Sequence, residues 1–516
     1  MSHSSERHWQ RGNAYLAQRQ LAAARIELDA LRSLAPDDWR CGLLAARLAW
    51  HADRPRDAAG LALQAVELLP AQVDAVCEAV QTLLLTGETQ AARRIFGELA
   101  WVAADPDTLA RGVDFAHRFG LHARALAGLD RLLATYPDDG PLHCQRGLQL
   151  EYLGRLDGAV AEYAACLALA PAYGQAAYQW ARLHRSVDRA HLDAAIERGL
   201  RAAAPGSRDQ ADLEFARYHV LEDAGDSSAA WRALVQANAI MHAHTGAVTA
   251  RQLRGLAQFD AWIAGHALPV AGAAPLAPRP IFVLGMPRSG TTVLERMLGN
   301  HSGVATAGEL PDFGQQLAYV ADTASTYSDA FYARLPTLDF GALGRRYVAQ
   351  TGWRAQGRPW FTDKQPGNWM LAGLIHAALP QARILHVVRD PVDVCFSNWR
   401  ARFITFPWSY DLATLAAYHA IYRRLMRRWQ ALYPGSILDV PYADLVRQPE
   451  ATLRRVFGFC GLAWEPGCED LIRNANPVAT LSAAAVREPL HARALGQWQR
   501  YAVQLEPLRD RLAAEA

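Results

Sequence analysis

The 516-residue chain predicts two unlike halves: an amino-terminal all-α solenoid and a carboxy-terminal α/β domain of P-loop-like plan with a central parallel sheet. Three observations carry that prediction. Prolines recur at steps of 34 residues through the first half, a strand-loop-helix pattern opens at Ile281, and a second apolar strand, Ile384 to Val388, delivers an arginine to its carboxyl end. The length exceeds what one hydrophobic core organises, since domains tend to run roughly 100 to 200 residues. We therefore expect a helical-repeat domain over residues 1–265, a linker over 266–279 and an α/β domain over 280–516.

Pro36 and Pro70 stand 34 residues apart, and Pro137, Pro171 and Pro205 continue at that step after one interval of 67. This is the period of tetratricopeptide repeats; an irregular helical bundle is the alternative. In GPLHCQRGLQLEYLGRLDGAVAEYAACLALAP, Gly147 and Ala159 allow two helices to approach, Gly154 suits a positive-φ helix end, Tyr163 fills between them and Pro171 stops the second. Gly12, Tyr15, Ala24 and Pro36 repeat the scheme. Around ELAWVAADP the pattern falls out of step at Pro106, which predicts an altered angle between repeats there. Stacks of this kind present a concave face, where a peptide or protein partner is expected. The run AGHALPVAGAAPLAPRP, rich in Ala, Pro and Gly, reads as the strap between the halves.

Composition excludes more than it assigns. With 53 basic and 51 acidic side chains the formal charge is +2, so neither a nucleic acid nor a membrane surface is an expected partner. The seven cysteines have no C-x-x-C and no zinc or disulfide spacing, which reads as buried thiols of a reducing compartment, and no His/Asp/Cys cluster implies a metal. The opening residues lack the basic-then-apolar plan of a secretory signal, and no apolar run approaches the roughly 20 residues of a membrane span, so the expected location is the cytoplasm.

Chemistry enters at PIFVLGMPRSGTTVLERMLGNH. Gly285, four residues, Gly290, Thr291 and Thr292 match the spacing of a G-x-x-x-x-G-K-[ST] phosphate loop, with Thr291 where the lysine should be. Backbone amides and two hydroxyls at a helix start can still cradle one phosphate. Without the lysine, the grip on the outer phosphates of ATP is lost and a nucleotide with a single 5′-phosphate fits better. Arg288 adds a fixed positive charge where a transferring group would sit. In ARILHVVRDPVDVCFSNW, Arg389 at a strand end and Ser397 on the following helix suit a second anion, although Arg389 and Asp390 as a structural ion pair is the plainer alternative.

These motifs resemble the sulfotransferases that use 3′-phosphoadenosine-5′-phosphosulfate (PAPS), and in particular the branch similar to protein-tyrosine sulfotransferases. The resemblance covers roughly residues 280 to 505. It implies that Arg288, Ser289, Gly290, Thr291 and Thr292 form the 5′-phosphosulfate loop, that Arg389 and Ser397 hold the 3′-phosphate, and that Tyr442 in PYADL contacts the nucleotide. It further implies Glu309, 17 residues beyond Thr292, as general base, with Lys364 in DKQPGNW and Ser482 in ATLSAAAVREPL acting on the bridging oxygen. His301 in GNHSG is the competing base, and a helix-end role is its plainer reading. Where the family carries a basic residue before its last tryptophan, Gln497 precedes Trp498, and Arg487 or Arg500 is the expected substitute. The resemblance implies transfer of a sulfuryl group from PAPS to an acceptor hydroxyl, tyrosine of a peptide or protein first, without a metal. The other readings are a P-loop kinase-like phosphotransferase and a repeat scaffold without catalysis.

Overall fold

The computed structural model describes residues 3–183, 189–272, 276–325, 328–474, 476–480, 483 and 485–514. The described residues of the first half form helices and the turns that join them. Antiparallel pairs follow one another as α1 (His3–Ala17) with α2 (Leu21–Leu34), α3 (Trp39–His51) with α4 (Pro55–Val66), and α5 (Val73–Leu85) with α6 (Thr89–Gly97). Then come α7 (Pro106–Arg118) with α8 (His122–Thr135) and α9 (Gly140–Tyr152) with α10 (Leu156–Leu169), followed by α11 (Gly174–Ala181), α12 (Arg189–Ala202), α13 (Arg208–Asp223) and α14 (Ser227–Ala264). Pro36, Pro70, Pro137, Pro171 and Pro205 each fall shortly after the second helix of a pair, where a missing N–H and fixed φ end the helix. Gly147 is required by contact: a Cβ there would lie 2.6 Å from the Tyr163 ring.

The irregular repeat has a physical cause. Pro106 does not stop a helix but begins α7, and between α6 and α7 a short 3-10 turn, Trp101–Ala103, drives Trp101 fully into the core. Its indole occupies space vacated by two glycines, since a Cβ on Gly112 or Gly128 would lie 2.3 Å or 2.9 Å from the ring. A tryptophan wedge thus replaces the second-helix proline at this step.

The second half places five parallel strands in the order β2-β3-β1-β4-β5, with β1 (Arg279–Gly285), β2 (Val304–Ala305), β3 (Trp360–Asp363), β4 (Arg383–Val388) and β5 (Ile437–Pro441). Crossovers include α15 (Thr291–Leu298) after β1, α16 (Asp312–Ala321), α17 (Asp329–Arg334) and α18 (Phe340–Thr351) before β3, and α19 (Ala372–Ala378) before β4. After β4 run α20 (Pro391–Trp399) and α21 (Leu412–Leu432); after β5, α22 (Tyr442–Arg447), α23 (Pro449–Cys460) and the last helix, α24 (Glu506–Ala514). Both faces of the sheet are covered. Ile281, Val283, Leu385 and Val387 enter one core while Phe282, Leu284 and Ile384 enter the other, the period of two expected of strands buried on both sides.

That second core does not stop at the sheet. It continues into α13 and α14, where Leu256, Phe259 and Ile263 pack with Tyr332 and Trp429, so the last helices of the first half belong to both halves. Polar contacts clamp the two together at both ends. Near the amino terminus, Arg56 donates to the Tyr319 carbonyl, Asp53 accepts from Thr323, and Glu88 accepts from Arg346 and Gln350. Near the other end, Asp212 pairs with Arg402 and Asp260 with Arg424 and Arg428. The repeats therefore arch over the α/β domain. Among the described residues no helix is long and apolar enough to cross a membrane, and all seven cysteines are buried free thiols.

Candidate active site

Each strand of the sheet ends in a singled-out residue. In spatial order, β2 leads to Glu309, β3 to Lys364, β1 to the Gly285–Thr292 loop, β4 to Arg389 and β5 to Tyr442. Open parallel sheets bind ligands along this edge, where chain direction switches on either side of a central strand. Neighbouring strands lie about 4.8 Å apart, so the row spans roughly 19 Å.

The loop at the centre is shaped for close approach. Gly285 has φ +147, and a Cβ on it would lie 2.6 Å from the Val387 carbonyl oxygen. Gly290, at φ +109, would clash with Tyr442 at 2.3 Å, so glycine alone lets the aromatic ring close over the loop. Arg288 itself takes a left-handed φ of 66, a strained conformation of the kind kept at functional sites. The Ser289 hydroxyl is buried without a hydrogen-bond partner among the described residues, and Thr291 and Thr292 open α15, whose first-turn amides have no carbonyl within the helix. This donor set, lacking an acidic side chain, fits an anion.

Its electrostatics point the same way. Burial, then the charge of Arg400 and further those of Arg182 and Arg389, push the Arg288 guanidinium down to about 10. It remains a cation at pH 7, held at a cost that a bound anion would relieve. Burial likewise lowers Arg389, although Asp393 opposes it.

On the β2/β3 side, the Lys364 ammonium donates to Glu309 Oε1 at 2.6 Å, with the lysine side chain fully buried and the glutamate 42% exposed. Lys364 is thus core-held, not a surface lysine. The two backbones are joined as well, Lys364 N–H donating to the Gly308 carbonyl at 2.9 Å. Beneath them, Glu295 Oε1 accepts from Gly308 N and from Thr362 Oγ1 at 3.0 and 2.7 Å. Burial raises the Glu295 carboxyl, with Lys364 opposing. Glu295 lies outside the phosphate-loop motif above, yet a signal exists: it shares the apolar stripe of α15 with Leu294 and Leu298.

On the β4/β5 side, the Arg389 side chain is 7% exposed and lies over the Tyr442 ring at 5.1 Å. Its terminal nitrogens donate to the carbonyls of Arg288 and Ala494, bracing the loop, and Nε has no hydrogen-bond acceptor among the described residues. Asp390 does not pair with it but caps α20, accepting from Val392 and Asp393 N–H. Ser397 is buried two turns along that helix. Ser482 lies outside the described residues. His301 spends both ring nitrogens structurally, one on the Ala463 carbonyl at 3.0 Å and one accepting from Gly303 N at 3.0 Å. Arg487 and Arg500 turn toward the helical half, donating to the Tyr152 carbonyl and Glu222, while Arg400 and Arg182 are the cations that act on Arg288. These two lie in different halves, and only the fold unites them.

A cleft of about 530 Å³ opens on the β2/β3 side, lined by Thr292, Glu295 and Glu309 from below and by His117 and His122 of the helical half from above. Tyr152 stacks on His117 at 5.6 Å. Burial pushes its phenol up to about 12, with Glu309 among the charges that contribute. Among the described residues no side-chain cluster could hold a metal ion.

Residues 280–466 match the model of the sulfotransferase family. An Aquifex aeolicus (strain VF5) "Uncharacterized protein" is 30% identical over 329 residues, which cover 61% of this chain. The chain spans 43% of that relative's length. A Caenorhabditis briggsae "Putative protein-tyrosine sulfotransferase" is 23% identical over 239 residues, 42% of this chain and 80% of that protein. Among solved structures, the sulfotransferase domain from the Synechococcus PCC 7002 olefin synthase aligns at 22% identity and a TM-score of 0.32, covering 45% of this chain and 90% of that one. The human IFIT1 dimer with m7Gppp-AAAA aligns at 17% identity and a TM-score of 0.31, covering 48% and 64%.

Proposed function

We propose that this protein transfers the sulfuryl group of PAPS to an acceptor hydroxyl, most directly a tyrosyl hydroxyl of a peptide or protein. The observation that carries the reading is the order of groups along the sheet edge: carboxylate, ammonium, anion loop, guanidinium, aromatic ring. A donor with separate anions on its 5′ and 3′ sides matches that row. The loop residues 288–292 would hold the 5′-phosphosulfate, and Arg389, Ser397 and Tyr442 the 3′-phosphate and nucleotide. The sulfur then faces Glu309 and Lys364.

Transfer is an in-line displacement. Glu309 accepts the acceptor's proton as its oxygen bonds to sulfur; the bond from sulfur to the bridging phosphate oxygen breaks, and Lys364 hydrogen-bonds that oxygen as it gains charge. The 2.6 Å contact between base and cation supports this division of labour, because an entering acceptor and donor would each take one partner of the pair. The nearby cation that a carboxylate beside an anionic donor requires is Lys364 itself. Tyrosine is favoured by the likeness to a relative bearing that name and by the spacing from Thr292 to Glu309.

The experiment is transfer of radiolabelled sulfate from PAPS to tyrosyl peptides. Glu309→Gln should lower kcat by about 10² to 10⁴ and Lys364→Ala by about 10² or more, with adenosine 3′,5′-bisphosphate still bound. Unimpaired transfer in both variants would refute the roles.

A further inference from the structure

A second cavity, walled mostly by the helical half, adjoins the first. A groove of about 940 Å³ runs along one helix of each successive pair, touching Asn13 on α1, Trp50 on α3, Gln81 on α5 and Phe115 on α7. Leu84, Arg118 and Gln315 line both this groove and the cleft that holds Glu309. At that junction Gln315 is fixed by its Nε2 donating to the Leu84 carbonyl at 3.1 Å, while its Oε1 is buried without a hydrogen-bond partner among the described residues. We propose that groove and cleft form one acceptor channel occupied by an extended polypeptide, with the target hydroxyl at Glu309 and a flanking segment along the inner face of the repeats. The inference rests on the sulfuryl-transfer reading above and adds where, and by how many residues, the acceptor is held.

The chemistry of the walls selects the occupant. The arginines that line the groove are each paired with a carboxylate, of which Asp114 lines the groove too: Arg47 with Glu78, Arg111 with Asp74 and Glu78, Arg118 with Asp114. A polyanion, whether nucleic acid or sulfated polysaccharide, finds no excess positive charge there. What remains is amide and apolar. Gln81 offers the donor and acceptor that a peptide unit needs, and Leu16, Trp50 and Phe115 can receive alternate side chains. In the cleft wall burial lowers His117 and His122 and keeps both rings neutral near pH 7, while Arg118, Arg296, Arg354 and Arg358 stand there with Glu295, Glu309 and Asp312.

The groove sets a length. Packed helices lie about 8 to 10 Å apart, so the three steps from α1 to α7 cover roughly 25 to 30 Å, the reach of about eight extended residues at roughly 3.3 Å each. The test uses the full-length enzyme, labelled PAPS and tyrosyl peptides carrying zero, four, eight or twelve randomised residues on either side, with tyrosinamide as the shortest acceptor. We expect kcat/KM to rise about tenfold or more up to roughly eight flanking residues on one side and then to level off. The double variant Trp50→Ala/Gln81→Ala should erase the advantage of long over short peptides, with an unchanged melting temperature as the check on folding. Transfer that is equal for tyrosinamide and every peptide, or the same length dependence in the double variant, overturns the channel while leaving sulfuryl transfer standing. Preferential labelling of dextran or mixed oligosaccharides overturns the polypeptide occupant. No label on any acceptor, together with no stabilisation by adenosine 3′,5′-bisphosphate, is the separate failure of the sulfotransferase reading.

Discussion

The two halves treat buried charge in opposite ways. In the helical half buried charges meet their opposites at several points: Glu27 faces Arg11, Arg47 faces Glu78, and Glu151, fully buried, holds Arg182 at 2.7 Å and accepts from Tyr163. At the edge of the sheet, cations are gathered against one another, and Arg182, Arg389 and Arg400 all depress Arg288. Paired charges keep a structure; gathered like charges leave the ligand-free protein holding an interaction that an anion completes. Arg182 joins the two regimes, belonging to a structural pair with Glu151 while adding to the field at the loop.

The largest effect should come from breaking a pair. Glu151→Gln leaves Arg182 buried without its carboxylate and is expected to cost roughly 3 to 5 kcal/mol, read by chemical denaturation. A loss under about 1 kcal/mol would mean that the helical half does not depend on pairing. Next is an acid response. Burial and then Arg423 lower His419 on α21 from 6.5 to about 4, so the neutral ring is favoured in the folded state. The unfolded chain takes up the extra proton in that window, and stability falls as pH drops from 6.5 to about 4, by ~3 kcal/mol in all. His419→Gln should flatten the dependence of melting temperature on pH there. Because α14 docks on α21 through Asp260, the melt should stay a single transition; a separate helical transition would break the picture of clamped halves. The smallest and most telling effect has the opposite sign. Arg288→Met should stabilise the ligand-free protein by roughly 1 kcal/mol while abolishing stabilisation by adenosine 3′,5′-bisphosphate.

Much of this was written in local sequence. Proline steps marked where second helices end, because proline lacks the N–H that a continuing helix needs. Gly285, Gly290 and the threonines marked the loop, since a backbone that must approach a ligand or a ring excludes a Cβ. Trp101 as a wedge was not legible, because its partners Gly112 and Gly128 lie on two later helices and show no pattern of their own. Nor were Arg182 and Arg400, whose meaning arises only from proximity to Arg288. The burial of Lys364 could not be read from DKQPGNW, since it follows from the strand that precedes it and from Glu295 beneath. The channel is the extreme case: it exists because the repeats curl back onto α16, through contacts such as Gln316 to the Gly87 carbonyl that lie more than 200 residues apart in sequence.

Thermal stability with each nucleotide tests the central claim directly. At a concentration near 100 times its Kd, adenosine 3′,5′-bisphosphate should stabilise the protein by about 2.7 kcal/mol, and ATP with magnesium should do markedly less. An equal or greater shift with ATP and magnesium would contradict the account, because the sheet edge would then be gripping outer phosphates that its lysine-free loop is not built to hold.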